Sequence, residues 1–223
     1  MRRYRAANRA LTDARVARWL SANPDRARAI HNRYNRRLRE DVLIAYGHAC
    51  RCCGLTQSEF LTFDHIAADG AARRRAGEPI GASLYQLLKR QRFPQDGIQL
   101  LCHSCNMAKA FCGVCPHEAT HLESNDAEGQ SWYRRMRQRV IAGYGGRCTC
   151  CGEQEPAFLA IDHVYNDGAA ERAATGMSGG QWYRWLIVNQ FPQDRYRLLC
   201  HCCNAARAYY GICPHERGRA AAE

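Results

Sequence analysis

Cys50 and Cys53 stand three positions apart, as do Cys102 and Cys105, and the same two pairs return as Cys148 with Cys151 and Cys200 with Cys203. Two such pairs are the strong sequence signal of a tetrahedral structural zinc site, so one Zn²⁺ is expected in each copy. Units this small bury little apolar surface, and metal binding then supplies folding free energy. The competing reading, eight reduced core cysteines, does not account for the matched spacing.

The repetition extends well beyond the cysteines. Residues 46–118 align with 144–216 without a gap, and 36 of the 73 positions are identical, which marks a duplication. The match reaches back to Tyr34, Arg36, Arg37 and Arg39, which align with Trp132, Arg134, Arg135 and Arg137. Each copy is therefore a basic helix followed by a cysteine unit. The expected organisation is an arginine-rich helical arm over 1–45 and a first unit over 46–118. A linker with its basic helix follows over 119–143, then a second unit over 144–216 and a small polar tail over 217–223 that frays. The fold class is α+β.

Charge narrows the partner. Thirty-two basic against 21 acidic residues leave +11, a surplus that suits a polyanion, nucleic acid before an anionic membrane surface. DNA is the expected partner, with RNA as the alternative. Residues 1–40 hold twelve arginines against three acids, a net of +9. Two helices are expected there, over about 5–20 and 24–46, broken at Ser21–Asp25, with Asn23 as cap and Pro24 at the first helical position. Arg36, Arg37, Arg134 and Arg135 read as a phosphate grip, against the plainer alternative of solvated basic helices. No apolar run approaches a membrane span, and Met1–Arg5 lacks the apolar stretch of a secretion signal. The expectation is a cytoplasmic, nucleoid-associated protein with reduced thiols. Its fourteen cysteines then read as metal ligands, not as the disulfides of a secreted chain.

Within a unit, Cys50-Arg51-Cys52-Cys53-Gly54 reads as a knuckle turn and Phe60–Phe63 as a short strand leading into Asp64-His65. Asp69-Gly70 reads as a turn with a hairpin after it. Ser83–Gln91 reads as a helix, and a second helix opens at Cys102. On that helix Asn106 and Lys109 share a face. Cys52, Cys115 and His117, with Cys150, Cys213 and His215, are either a second ligand set with three visible members or bystanders. Cys112 and Cys202 have no counterparts and read as passive.

Asp64-His65 and Asp162-His163 each lie between two CxxC pairs, the second of which is followed by Asn106 or Asn204. This arrangement resembles the HNH, or His-Me finger, nucleases, and within them the endonuclease VII-like form. The wider text is similar to HNH proteins common in phages. The resemblance covers 46–118 and 144–216. The commoner pattern of that family has an asparagine five residues before the third cysteine, where this chain has Gly97 and Arg195. The final histidine of the family's name is also asparagine here.

The resemblance implies two tandem zinc-stabilised ββα-metal units behind a basic arm. It implies His65 as general base, Asp64 and Asn106 as ligands of a catalytic Mg²⁺, and Lys109 as a phosphate contact. In the second copy these roles fall to His163, Asp162, Asn204 and Arg207. The whole would be a metal-dependent DNA endonuclease of phage or mobile-element type, monomeric with an internal pseudo-dimer. The alternatives are a non-catalytic zinc-stabilised nucleic-acid-binding protein and a junction resolvase.

Overall fold

A computed structural model describes residues 8–118 and 132–220. The expected polar linker and the last three residues lie outside the described residues. Two helices open the described chain, α1 (Arg9–Ala22) and α2 (Pro24–Ala45). Asn23 separates them, but its side chain does not cap α2: its Nδ2 donates to the Trp19 carbonyl at 2.9 Å and closes the end of α1. Pro24 starts α2, where its fixed φ fits and its missing N–H costs nothing. One stripe of α2 buries Leu38, Val42 and Leu43, while Arg36 and Arg37 stay exposed.

The first unit contains β1 (Leu61–His65), α3 (Gly70–Arg75), α4 (Ala82–Arg90), β2 (Ile98–Cys102) and α5 (His103–Cys112). After the basic helix α6 (Trp132–Gly143), the second unit repeats it as β3 (Leu159–His163), α7 (Gly168–Thr175), α8 (Gly179–Val188), β4 (Tyr196–Cys200) and α9 (His201–Tyr210). The fold is α+β, with two small antiparallel sheets among the described residues. β1 pairs with β2 from Leu61 opposite Cys102 to His65 opposite Ile98, and β3 pairs with β4 in the same register. The hairpin expected after Asp69-Gly70 is not formed. Ala71, Ala72 and three arginines follow, helix formers without a β-branched residue, and they make α3 instead. The partner strand comes only after α4.

Each knuckle is pinned to its sheet. Arg51 N–H donates to the Leu100 carbonyl at 2.9 Å, and Thr149 N–H does the same to Leu198. Gly54 and Gly152 close the turn with φ of 75° and 83°, which favours glycine. One equivalent pair of arginines, Arg39 of α2 and Arg137 of α6, is structural. Arg39 Nη2 donates to the carbonyls of Ser58 and Leu61, and Arg137 Nη2 to those of Pro156 and Leu159.

The two units share one apolar core, in which Leu43, Leu61 and Leu100 join Val140, Leu159 and Leu198. They meet through reciprocal contacts. The Phe60 ring stacks on His215 at 5.2 Å, and Phe158 stacks on His117 at 5.0 Å. Ser104 Oγ lies 3.3 Å from Cys202 Sγ, and those two positions are equivalent in the repeat. Residue i touching j while j's counterpart touches i's is the mark of an isologous, two-fold interface, here within one chain. A last helix, α10 (Pro214–Ala220), takes up residues 217–220 of the tail expected to fray. Pro214 starts it, Glu216 sits in its first turn, and Arg217 and Arg219 in its last, each complementing the helix dipole. Arg217 also pairs with Glu59 of the first unit. Among the described residues no helix is long and apolar enough to cross a membrane.

Leu43 is fully buried where α2 meets this core, whereas its neighbour Ile44 is 63% exposed. Leu43→Ala is expected to cost about 2–5 kcal/mol in urea unfolding of the zinc-loaded protein. Ile44→Ala is expected to cost under about 1 kcal/mol.

Candidate active site and metal centres

Among the described residues, four groups of ligand atoms lie close enough for a metal. Cys50, Cys53, Cys102 and Cys105 form one, and Cys148, Cys151, Cys200 and Cys203 form its repeat. The knuckle supplies two thiols and the first turn of α5 or α9 the others. Cys102 doubles as the cap of α5, its sulfur accepting the Cys105 N–H at 3.3 Å; Cys200 does the same for Cys203 at 3.4 Å. Two further groups are Cys52, Cys105, Cys115 and His117, and Cys150, Cys203, Cys213 and His215. All four are of the thiolate and imidazole type that suits zinc.

The chemistry of the thiols fits a cation. Cys50 is held far below the usual thiol range by hydrogen bonds from Cys102 and then Cys105. Cys105 is driven far above it by Cys102 and Cys50 and then by burial. Cys148 and Cys203 divide in the same way. Crowded, buried thiols cannot all ionise unless a positive ion sits among them.

The Asp-His pairs end the first strand of each sheet. Consecutive strand residues point to opposite faces, so aspartate and histidine meet different neighbours. Asp64 faces Gln99, its cross-strand partner, and α5. Its Oδ2 accepts from Gln99 Nε2 and from Lys109 Nζ, both at 2.8 Å. Asn106 lies one turn before Lys109 on the same face of α5, so it is carried on the side that approaches Asp64. In the second unit Asp162 is held by Arg197, the residue equivalent to Gln99, at 2.7 Å. Arg207 does not reach Asp162; it pairs with Glu216.

The histidines meet carboxylates that the sequence reading did not include. His65 Nε2 lies 2.8 Å from Glu78, though not aligned for a hydrogen bond, and His163 Nε2 lies 2.5 Å from Glu171. Glu78 and Glu171 occupy non-equivalent positions in the repeat, so comparing the copies could not have revealed them. The second site is more closely built. The Trp182 ring stacks on His163 at 5.4 Å and 6°, and the Tyr196 hydroxyl donates to Glu171. Burial and then Glu171 push the Tyr196 phenol up to about 12, so it remains a donor. A cavity of about 230 Å³ opens beside His163, lined also by Arg172, Tyr133 and Tyr183. The first unit has Leu84 and Ile98 where the second has Trp182 and Tyr196.

Comparison with known protein families, with curated proteins and with solved structures finds no match. Of the arginines read as a phosphate grip, Arg36, Arg37, Arg134 and Arg135 are all exposed on α2 and α6. His103 and His201, also basic-type residues near the sheets, are not available as cations: burial pushes each imidazole down to about 4.

Gly70 and Gly168 begin α3 and α7 directly against the histidines. A β-carbon on either would come 2.7 Å from the Nδ1 of His65 or His163. The glycine of each Asp-Gly pair is thus required by space, not by backbone angle. Gly70→Ala and Gly168→Ala are expected to displace the ring, which ¹⁵N-detected histidine spectra would show as a shifted Nδ1 resonance. Unchanged His65 and His163 resonances would contradict the close approach.

Proposed function

We propose that the chain is a metal-dependent DNA endonuclease with one HNH-type site in each unit. The observation that carries this reading is the repeated juxtaposition of a strand-borne Asp-His with a helix that presents an asparagine and follows the partner strand directly. A pure nucleic-acid binder has no use for that trio. Mg²⁺, held by the hard oxygens of Asp64 and Asn106, would supply charge stabilisation at a scissile phosphodiester. Asp162 and Asn204 would hold it in the second unit.

This chain's own residues account for the remaining steps. A neutral imidazole suits a general base near physiological pH. Glu171 at His163 Nε2 favours the tautomer in which Nδ1 carries the lone pair; Glu78 lies 2.8 Å from His65 Nε2 without an aligned hydrogen bond. Nδ1 of each ring sits over the notch left by Gly70 or Gly168. Lys109 and Arg197 neutralise the aspartates and must yield them to the cation, so each is placed to meet a phosphate oxygen once released. The exposed arginines of α2 and α6 would grip the flanking backbone without reading sequence. The two-fold relation of the units would set one site against each strand of a duplex.

Cleavage of supercoiled plasmid tests this directly. Magnesium is withheld by using metal-depleted buffer, because a chelator such as EDTA would also strip zinc. The wild-type protein should linearise the plasmid only with Mg²⁺. His65→Ala should convert it to a nicking enzyme, and His65→Ala with His163→Ala should lower the rate by about 10²–10⁴-fold. A wild type that binds DNA without cutting it would leave the zinc-stabilised binder. Cutting that survives in the double variant would remove both histidines from the chemistry.

A further inference from the structure

Cys105 belongs to two ligand groups at once. It completes the first with Cys50, Cys53 and Cys102, and the second with Cys52, Cys115 and His117. Cys203 does the same in the other unit. We propose that each unit holds a dinuclear zinc cluster in which a single thiolate, Cys105 or Cys203, bridges the two metals.

Ligand number leads to this arrangement. Two tetrahedral ions need eight ligand positions, and each unit offers six thiols and one imidazole, seven groups in all. One shared sulfur closes the deficit. The shared residue is the one sulfur common to both groups, at the first turn of α5 or α9, and it is fully buried in both copies.

Distances agree with the same picture. With Zn–S near 2.3 Å and Zn–N near 2.0 Å, the edges of a tetrahedron are about 3.8 Å between sulfurs and about 3.5 Å between sulfur and nitrogen. Cys53 and Cys102 sulfurs are 3.9 Å apart, and Cys151 and Cys200 sulfurs 3.7 Å. His117 Nδ1 lies 3.3 Å from the Cys105 sulfur and 3.4 Å from that of Cys115. His215 Nδ1 lies 3.4 Å from both Cys203 and Cys213. The geometry therefore names Nδ1 as the coordinating atom.

Coordination replaces six thiol protons by two Zn²⁺ ions and leaves the imidazole neutral, so each cluster carries a formal charge of −2. In the second unit Arg219 meets that charge, with Nη1 donating to the Cys150 carbonyl at 2.7 Å and Nη2 lying 3.9 Å from its sulfur. The second metal also has a distinct place in the fold. Its histidine is the ring that stacks on the opposite unit, His117 on Phe158 and His215 on Phe60. The inner metal closes a unit, and the outer one stiffens the interface between units.

Zinc content of the purified full chain, measured by plasma mass spectrometry, should be four ions per chain. Cys115→Ser with His117→Ala should lower it to three, and Cys112→Ser, outside every group, should leave it at four. A wild-type content of two would overturn the proposal. Should the double variant fail to fold, the wild type alone decides: reconstitution with ¹¹³Cd²⁺ should give cadmium resonances coupled in pairs through the bridging sulfur. Four uncoupled resonances would overturn the bridge.

Discussion

The close-set thiol and imidazole groups that could hold zinc are the feature on which the rest of the structure depends. A two-stranded antiparallel pair is marginal by itself in water, and here each sheet is five residues of β1 or β3 against five of β2 or β4. Held by metal, these sulfurs would connect what the backbone alone would leave loose: a knuckle before the first strand, the helix after the second, and the Cys-Pro-His segment that closes the unit. A structural Zn²⁺ contributes about 10–16 kcal/mol of binding free energy in small zinc domains. That equals or exceeds the about 5–15 kcal/mol of net stability typical of a whole domain. Coordination there would fix the strand end and the helix face that carry Asp64, His65, Asn106 and Lys109, and their counterparts.

Duplication then gives the second level of order. Reciprocal packing of Phe60 with His215 and Phe158 with His117 joins the halves around a pseudo-two-fold axis. Position 104 meets its own counterpart, 202, across that axis. Symmetric framework does not mean identical sites. Asp64 is held by a lysine and a glutamine, Asp162 by an arginine. His163 is clasped by Trp182, Tyr196 and Glu171, while His65 has Glu78 and less aromatic support. The frame has been kept more closely than the surroundings of the histidines.

Much of the framework was legible in the sequence because its signals are local. CxxC spacing marks the knuckle and the helix start, Pro24 marks the start of α2, and Asp64-His65 ends an apolar run. What escaped depends on distant or non-repeating residues. Glu78 and Glu171 sit at different offsets from their histidines, so no alignment of the copies exposes a shared role. Asp69-Gly70 reads as a hairpin turn, but the alanines and arginines that follow favour α3, and β1 waits for a partner beyond α4. Counting only four thiols per metal hid the double membership of Cys105 and left Cys52, Cys115 and His117 as a set of three. Pro214, Glu216 and the arginines of 217–220 mark α10 locally, while the tie from Arg217 to Glu59 in the other unit is a distant contact that no local pattern reveals.

The most direct measurement is a zinc titration of the reduced, metal-free full chain, followed by near-ultraviolet circular dichroism of its tryptophans and tyrosines. If coordination organises the fold, the metal-free chain has no fixed aromatic signal and gains it as zinc is added, with no further change once the thiol and imidazole ligands are filled. A metal-free chain that already shows the full aromatic signal would contradict the account, because packing alone would then suffice to build both units.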